Sequence, residues 1–122
     1  MEKREQMNVL WFDELHRSDV NLVGGKSSSL GEMTSAMKIP VPYGFATTTH
    51  AYRQFMAETG LNDQINKLLA EINDYENADE LHRVCSHIRQ MIVEAPMPSE
   101  IAMTIKKAYA ALSEKMGETE PF

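Results

Sequence analysis

A chain of 122 residues with 43% hydrophobic and 25% charged residues has the composition of a single globular domain and not of a disordered segment. Its one cysteine, Cys85, excludes an internal disulfide and a cysteine-rich metal site, and fits a reducing, cytoplasmic setting. The net charge is −6, and no apolar run is long enough for a signal peptide or a membrane span, so no membrane partner is expected.

The charge is unevenly placed. Over residues 57–80, Glu58, Asp63, Glu71, Asp74, Glu76, Asp79 and Glu80 stand against Lys67 alone. That stretch holds the whole net negative charge. It repels phosphate backbones and argues against nucleic acid as a partner. Its simplest reading is a solvated helix face and loop, which leaves any phosphate-handling site elsewhere.

In chain order, residues 1–7 mix Glu2 and Glu5 with Lys3 and Arg4 and read as a flexible tail. Val9-Leu10-Trp11-Phe12 is a short apolar run suited to a buried strand. Residues 27–37 read as a helix with Leu30, Met33, Ala36 and Met37 on one side. Val41-Pro42-Tyr43-Gly44-Phe45-Ala46 comes next as an extended piece, which Pro40 and Pro42 confine to an edge or turn-flanked strand. Beyond Thr47 the pattern turns helical. Thr48 or Thr49 can cap a helix carrying Ala51, Tyr52, Phe55 and Met56, and Gly60 closes it. Three more stripes run at helical spacing: Leu61, Ile65, Leu68, Leu69 and Ile72; then Ala78, Leu81, Cys85, Ile88 and Ile92; then Ile101, Ile105, Ala108, Leu112 and Met116. The nine methionines suit an adaptable core better than a binding groove. The expected fold is one α+β domain over residues 1–122, mostly helical with a small β-sheet.

The stretch that carries chemistry is Val23-Gly24-Gly25-Lys26-Ser27-Ser28-Ser29-Leu30-Gly31-Glu32-Met33. Glycines expose backbone N–H groups to a close ligand, a helix N-terminus adds partial positive charge, and a lysine adds a full one. Gly25-Lys26-Ser27 matches the end of a P-loop, but Val20 stands where its first glycine belongs. The purely structural reading is an ordinary turn into a helix, with Ser29 and Glu32 as a capping box. Gly31 weighs on that choice. A helix beginning at Lys26 places it in the interior, where glycine costs about 1 kcal/mol unless close packing requires it; a cap at Ser29 places it at the start. Residue spacing leaves both open.

Three motifs in order resemble one family. They are Val9-Leu10-Trp11-Phe12-Asp13-Glu14-Leu15, the Val-Gly-Gly-Lys-x-x-x-Leu-Gly-Glu-Met run from Val23, and Val41-Pro42-Tyr43-Gly44-Phe45-Ala46-Thr47-Thr48. Together they are similar to the start of the enzymes of the phosphoenolpyruvate synthase and pyruvate phosphate dikinase family. The likeness continues more weakly through His87-Ile88-Arg89-Gln90-Met91-Ile92 and the last helix. Tyr43 is one departure, where relatives often carry proline or asparagine.

The resemblance implies a partial ATP-grasp-like nucleotide-binding domain. It assigns Lys26 to the nucleotide phosphates, with Gly24 and Gly25 admitting the ligand and Ser27 as a further contact, while Pro42 and Gly44 shape a turn. It also implies ATP and Mg2+ as ligands of the complete enzyme, whose remaining domains would be this segment's partners. The family's phosphate-binding arginine motif, its magnesium-holding acids, its phosphorylated histidine and its pyruvate site match nothing in these residues. His16, His50, His82 and His87 therefore inherit no catalytic role, and the chain alone is expected to be inactive. Two further readings stay open: a stand-alone interaction domain that self-associates through a bared apolar surface, and a nucleotide sensor built on half a site.

Overall fold

The computed structural model of the chain describes residues 3–117. Three short 3-10 turns, at Arg4–Gln6, Phe12–Glu14 and Arg17–Asp19, accompany two strands and six helices. The strands are β1 (Val9–Trp11) and β2 (Phe45–Thr47). The helices are α1 (Val20–Val23), α2 (Gly25–Ser35), α3 (Thr49–Thr59), α4 (Leu61–Ala70), α5 (Ala78–Glu94) and α6 (Ser99–Met116). The α+β class with a small sheet is as the sequence suggests. The described residues fall into two compact units, one within residues 1–53 and 99–122 and one of residues 54–98.

In the first unit β1 and β2 pair antiparallel, with Val9 opposite Thr47, Leu10 opposite Ala46 and Trp11 opposite Phe45. Bonds from Thr48 N to Asn8 O (3.1 Å) and from Phe12 N to Gly44 O (3.0 Å) extend the ladder at both ends. Proline has no N–H to donate, so Pro40 and Pro42 keep the preceding residues out of the ladder and β2 is shorter than the apolar run suggests. A Cβ on Gly44 would stand 2.5 Å from Cε2 of Phe12. The Pro-x-Gly-Phe element thus lays bare backbone on an aromatic ring.

Leu10 and Leu15, 1% and 0% exposed, form the centre of this unit, each burial being favourable by about 1.5–3 kcal/mol. Helix α6 packs on β1 and contributes Ile101, Ala108 and Leu112 to the core. Trp11 meets Phe45 edge to face at 5.4 Å between ring centroids. Lys115 Nζ lies 4.2 Å from the Trp11 centroid and 5.7 Å from that of Tyr43.

Of the tail read over residues 1–7, the structure describes residues 3–7. Arg4–Gln6 forms a 3-10 turn, and the Arg4 guanidinium donates to both Asp19 carboxylate oxygens, at 2.7 and 3.2 Å, and to Glu14 O at 2.9 Å. A buried carboxylate fifteen residues away holds the segment, a pairing that local sequence pattern does not display. Met1 and Glu2 lie outside the described residues.

The chain enters α3 through Thr48, whose Oγ1 accepts from Ala51 N at 3.2 Å, so Thr48 is the cap. In the second unit Met56, Leu61, Ile72 and Val84 are buried. Gly60, at φ 72°, adopts the left-handed conformation that ends α3. Asn77 caps α5 by accepting from Glu80 N at 3.1 Å, and the Glu80 carboxylate in turn accepts from Asn73 N at 2.7 Å. The other six acids of residues 57–80 are exposed, as a solvated face requires. Of the expected α5 stripe, Leu81, Cys85, Ile88 and Ile92 are half-buried and Ala78 is exposed, while Val84, which the stripe omits, is the most buried residue of the helix at 1% exposure. Methionine fills the core less than expected. Met56 is buried, while Met37, Met97 and Met103 are each more than half exposed.

Candidate functional site

Gly24, Gly25, Lys26 and Ser27, singled out from the sequence, sit together where α1 meets α2. The junction is tightly specified. Helix α1 is a single turn, and Gly24 N donates to Val20 O at 2.8 Å. Gly24 then takes φ 85° and ψ 172°, a region open in practice to glycine alone. Its backbone reversal starts α2 at Gly25, and Ser28 N donates to Gly24 O at 3.1 Å.

That early start decides the question residue spacing leaves open. Ser29 and Glu32 fall inside α2, so they form no capping box. Glu32 Oε1 instead accepts from Arg17 N at 3.2 Å and lies 3.7 Å from His16 Nδ1. Gly31 is interior and buried because its neighbour leaves no space. A Cβ there would overlap the Leu15 Cβ and lie 3.0 Å from the Leu15 carbonyl carbon and oxygen. Ser35 Oγ, one turn on, donates to Leu15 O at 2.6 Å and is 3.2 Å from His16 Nδ1. Helix α2 is therefore fastened along one side to residues 15–17. It ends at Ser35, two residues earlier than expected, and Lys38 at φ 55° turns the chain away.

The open end of α2 has a distinct chemistry. The N–H groups of Gly25, Lys26 and Ser27 make no hydrogen bond to the described residues. They are the first-turn donors that a helix cannot satisfy internally. Lys26 is exposed and forms no ion pair among the described residues. Ser28, not Ser27, is the buried serine, and its Oγ turns inward to Gly25 O at 3.0 Å. Ser27 is half-buried. The two glycines differ. Gly24 is required by its backbone angles, whereas a Cβ on Gly25 would meet nothing within 4 Å. Three free donors, a lysine and an uncovered Cα form a surface suited to an anion.

Behind this surface stand residues that motif reading misses. Asp19 directly precedes α1 and is 7% exposed. Its carboxylate accepts from Arg4 and, at 2.9 Å, from His16 N. The Arg4 hydrogen bonds, with the His16 N–H, hold the Asp19 carboxyl below its ordinary range against the opposing effect of burial, and Asp19 in turn raises the Arg4 guanidinium. Thr49 Oγ1 ties α1 to α3 through Asn21 O at 3.0 Å. The available signal was the spacing of His16 and Asp19, an acid three residues after a turn begins; Trp11 and Glu14 repeat it, with Trp11 N donating to Glu14 Oε2 at 3.2 Å.

The residues around the loop do not fit a magnesium site. Asp19 and Glu32 are both engaged by N–H donors, and among the described residues no three His, Cys, Asp or Glu side chains cluster to hold a metal. The first unit also carries a shallow groove of about 310 Å³ lined by Met7, Val9, Trp11, Thr104, Lys107 and Ala111 among others. None of the glycine–lysine residues lines it. Among the described residues no helix is long and apolar enough to cross a membrane.

Residues 20–122 match the family described as pyruvate phosphate dikinase, AMP/ATP-binding domain. The chain belongs to this family. Among dikinase-family relatives, a probable phosphoenolpyruvate synthase of Staphylothermus marinus is 45% identical over 116 residues, which is 93% of this chain and 13% of the relative. The phosphoenolpyruvate synthase of Escherichia coli K12 is 43% identical over 108 residues, 86% of this chain and 14% of its own length. That of Synechocystis is 40% identical over 120 residues, covering 94% and 14%. The chain thus spans 13–14% of the length of these dikinase-family proteins.

Proposed function

We propose that this chain is the N-terminal part of the ATP-binding domain of a phosphoenolpyruvate synthase, and that the end of α2 is one wall of its nucleotide site. The observation that carries this reading is the free first turn of α2, with N–H groups at Gly25, Lys26 and Ser27 that have no partner among the described residues, beside the Lys26 side chain. A triphosphate supplies the acceptors these donors lack. Lys26 would hold phosphate oxygens as a point charge and offset negative charge that grows during phosphoryl transfer. Gly24 would set the angle of approach, Gly25 would leave space for the ligand, and Ser27 would add a donor.

In the complete enzyme this wall would serve an ATP-grasp-like site, in a cytoplasmic protein that passes a phosphoryl group from ATP through a phosphohistidine to pyruvate. Mg2+ would enter with ATP and be held by residues outside this segment, since Asp19 and Glu32, the acids that flank the loop in sequence, already accept N–H donors. The rest of the synthase would be its partner, and the segment alone would have no dikinase activity.

A titration of the chain with Mg-ATP, followed by amide chemical shifts, tests the site. Saturable shifts at Gly24, Gly25, Lys26 and Ser27 that disappear in Lys26→Ala are expected. Their absence at millimolar nucleotide would favour the second reading, a non-catalytic interaction domain that self-associates. That reading draws on the exposed Met37, Ile39 and Tyr43 between α2 and β2, at 55%, 39% and 56%.

A further inference from the structure

We infer that Arg4 is a positioning residue for the glycine–lysine loop, acting through Asp19 and α1. One guanidinium grips two points of the segment that leads into the loop. It donates to Glu14 O at 2.9 Å and to the Asp19 carboxylate at 2.7 and 3.2 Å. Between those points Asp19 also takes the His16 N–H at 2.9 Å. The turn at residues 14–19 is therefore clamped by a side chain from position 4, on the other side of β1 in the sequence.

Beyond Asp19 the chain has little freedom. Val20 opens α1 with its first helical residue, and four residues later its carbonyl receives the Gly24 N–H at 2.8 Å. Gly24 then turns directly into α2. A displacement of Asp19 is thus carried through one rigid turn of helix to the residue that orients the Gly25, Lys26 and Ser27 N–H groups. Helix α2 has its own attachments through Gly31 and Ser35 to Leu15, and α1 is held from another side by Thr49 at Asn21. Arg4 supplies the remaining fixed point, at the start of α1. Charge-assisted, bidentate hydrogen bonds to a largely buried carboxylate are strong and directional enough for that task.

The inference rests on the phosphate-binding reading for its functional meaning, but its structural core can be read without nucleotide. Amide hydrogen exchange would be measured at Gly24, whose N–H reports the α1 turn, and at Leu112 in α6, which reports the first unit as a whole. Arg4→Gln removes the charge and most of the grip from an exposed position, and Asp19→Asn keeps the shape of the buried partner. Both are expected to lower Gly24 protection by about tenfold, with a clearly smaller loss at Leu112 that reflects the pair's share of overall stability. Arg4→Lys, which keeps the charge without the fork, should fall between them and the unmodified chain.

Unchanged Gly24 protection in Arg4→Gln overturns the inference, as does an equal loss at Leu112, which would mark a general loss of stability. In the same samples Mg-ATP is added. A rise in Kd of about threefold or more in Arg4→Gln, recovered in part by Arg4→Lys, is expected if the loop binds phosphate. A Kd that stays constant while Gly24 loosens overturns the positioning role. If the unmodified chain shows no saturable shift, the nucleotide reading fails for this chain, and the Gly24 and Leu112 comparison still decides the anchoring.

Discussion

Gly31 lies flat against Leu15, so that a Cβ at position 31 would occupy the space of the Leu15 Cβ. Leu15 is fully buried, and the approach brings α2 against the turn that precedes α1. In an ordinary helix interior, replacing glycine with alanine is favourable by about 0.8–1 kcal/mol. Here the sign should reverse. Gly31→Ala is expected to destabilise the chain by about 1–3 kcal/mol through overpacking. Urea unfolding checks it, and the same substitution made in a Leu15→Ala background should still be unfavourable, because the obstructing Cβ and carbonyl of residue 15 remain.

The two glycines of the loop separate backbone need from ligand need. Gly24→Ala must hold φ 85° and ψ 172° with a side chain and should cost about 1–3 kcal/mol. Gly25→Ala meets nothing within 4 Å and should leave stability within about 1 kcal/mol of the original, or raise it, by restricting the unfolded chain. If the loop binds phosphate, Gly25→Ala will nevertheless weaken Mg-ATP binding. Thermal unfolding and the nucleotide titration, run on both variants, give the two readouts.

Lys26→Ala is expected to leave the fold untouched. The side chain is exposed and makes no ion pair among the described residues, so its removal should change stability by no more than about 0.5 kcal/mol. The predicted loss is of nucleotide affinity, about tenfold or more for one charged contact. A large drop in stability would mean that Lys26 has a structural role instead.

Asp19 gives stability a definite acid dependence. Its folded carboxyl titrates below the ordinary value of 3.8, chiefly because of the Arg4 hydrogen bonds. On acidification the unfolded chain therefore takes up this proton first. Stability from the pair is fully present above about pH 4 and is lost as pH falls through the lower folded value. Asp19→Asn should lower stability at pH 7 and flatten the stability curve below pH 4, as measured by urea midpoints across that range. Arg4→Gln should flatten it likewise.

Much of the helical architecture was legible in the sequence because periodicity and punctuation agree there. The Thr48 cap, the Gly60 stop and the stripes of α4, α5 and α6 are local signals with local causes. The candidate loop was legible for the same reason, as four adjacent residues. What could not be read depends on contacts distant in sequence. The choice between a turn-capping Ser29 and an interior Gly31 is made by Leu15, sixteen residues earlier, and the partner of Arg4 is Asp19, fifteen residues later. Val84 is the most buried residue of α5 although the stripe passes beside it, because the packing of α4 on α5 decides which of several adjacent apolar residues is covered most.

The chain has a single tryptophan, and its ring is pinned between the edge contact with Phe45 and the ammonium of Lys115. The first unit thus carries its own optical probe, whose emission responds to the pairing of β1 with β2 and to the end of α6 together. The second unit has no tryptophan, yet it holds α4, α5 and much of α3 and so contributes heavily to the far-ultraviolet dichroism. Fluorescence and dichroism measured through one denaturant series therefore count the cooperative steps. Coincident curves mean that the two units melt as one body, and separated curves mean that each keeps its own stability.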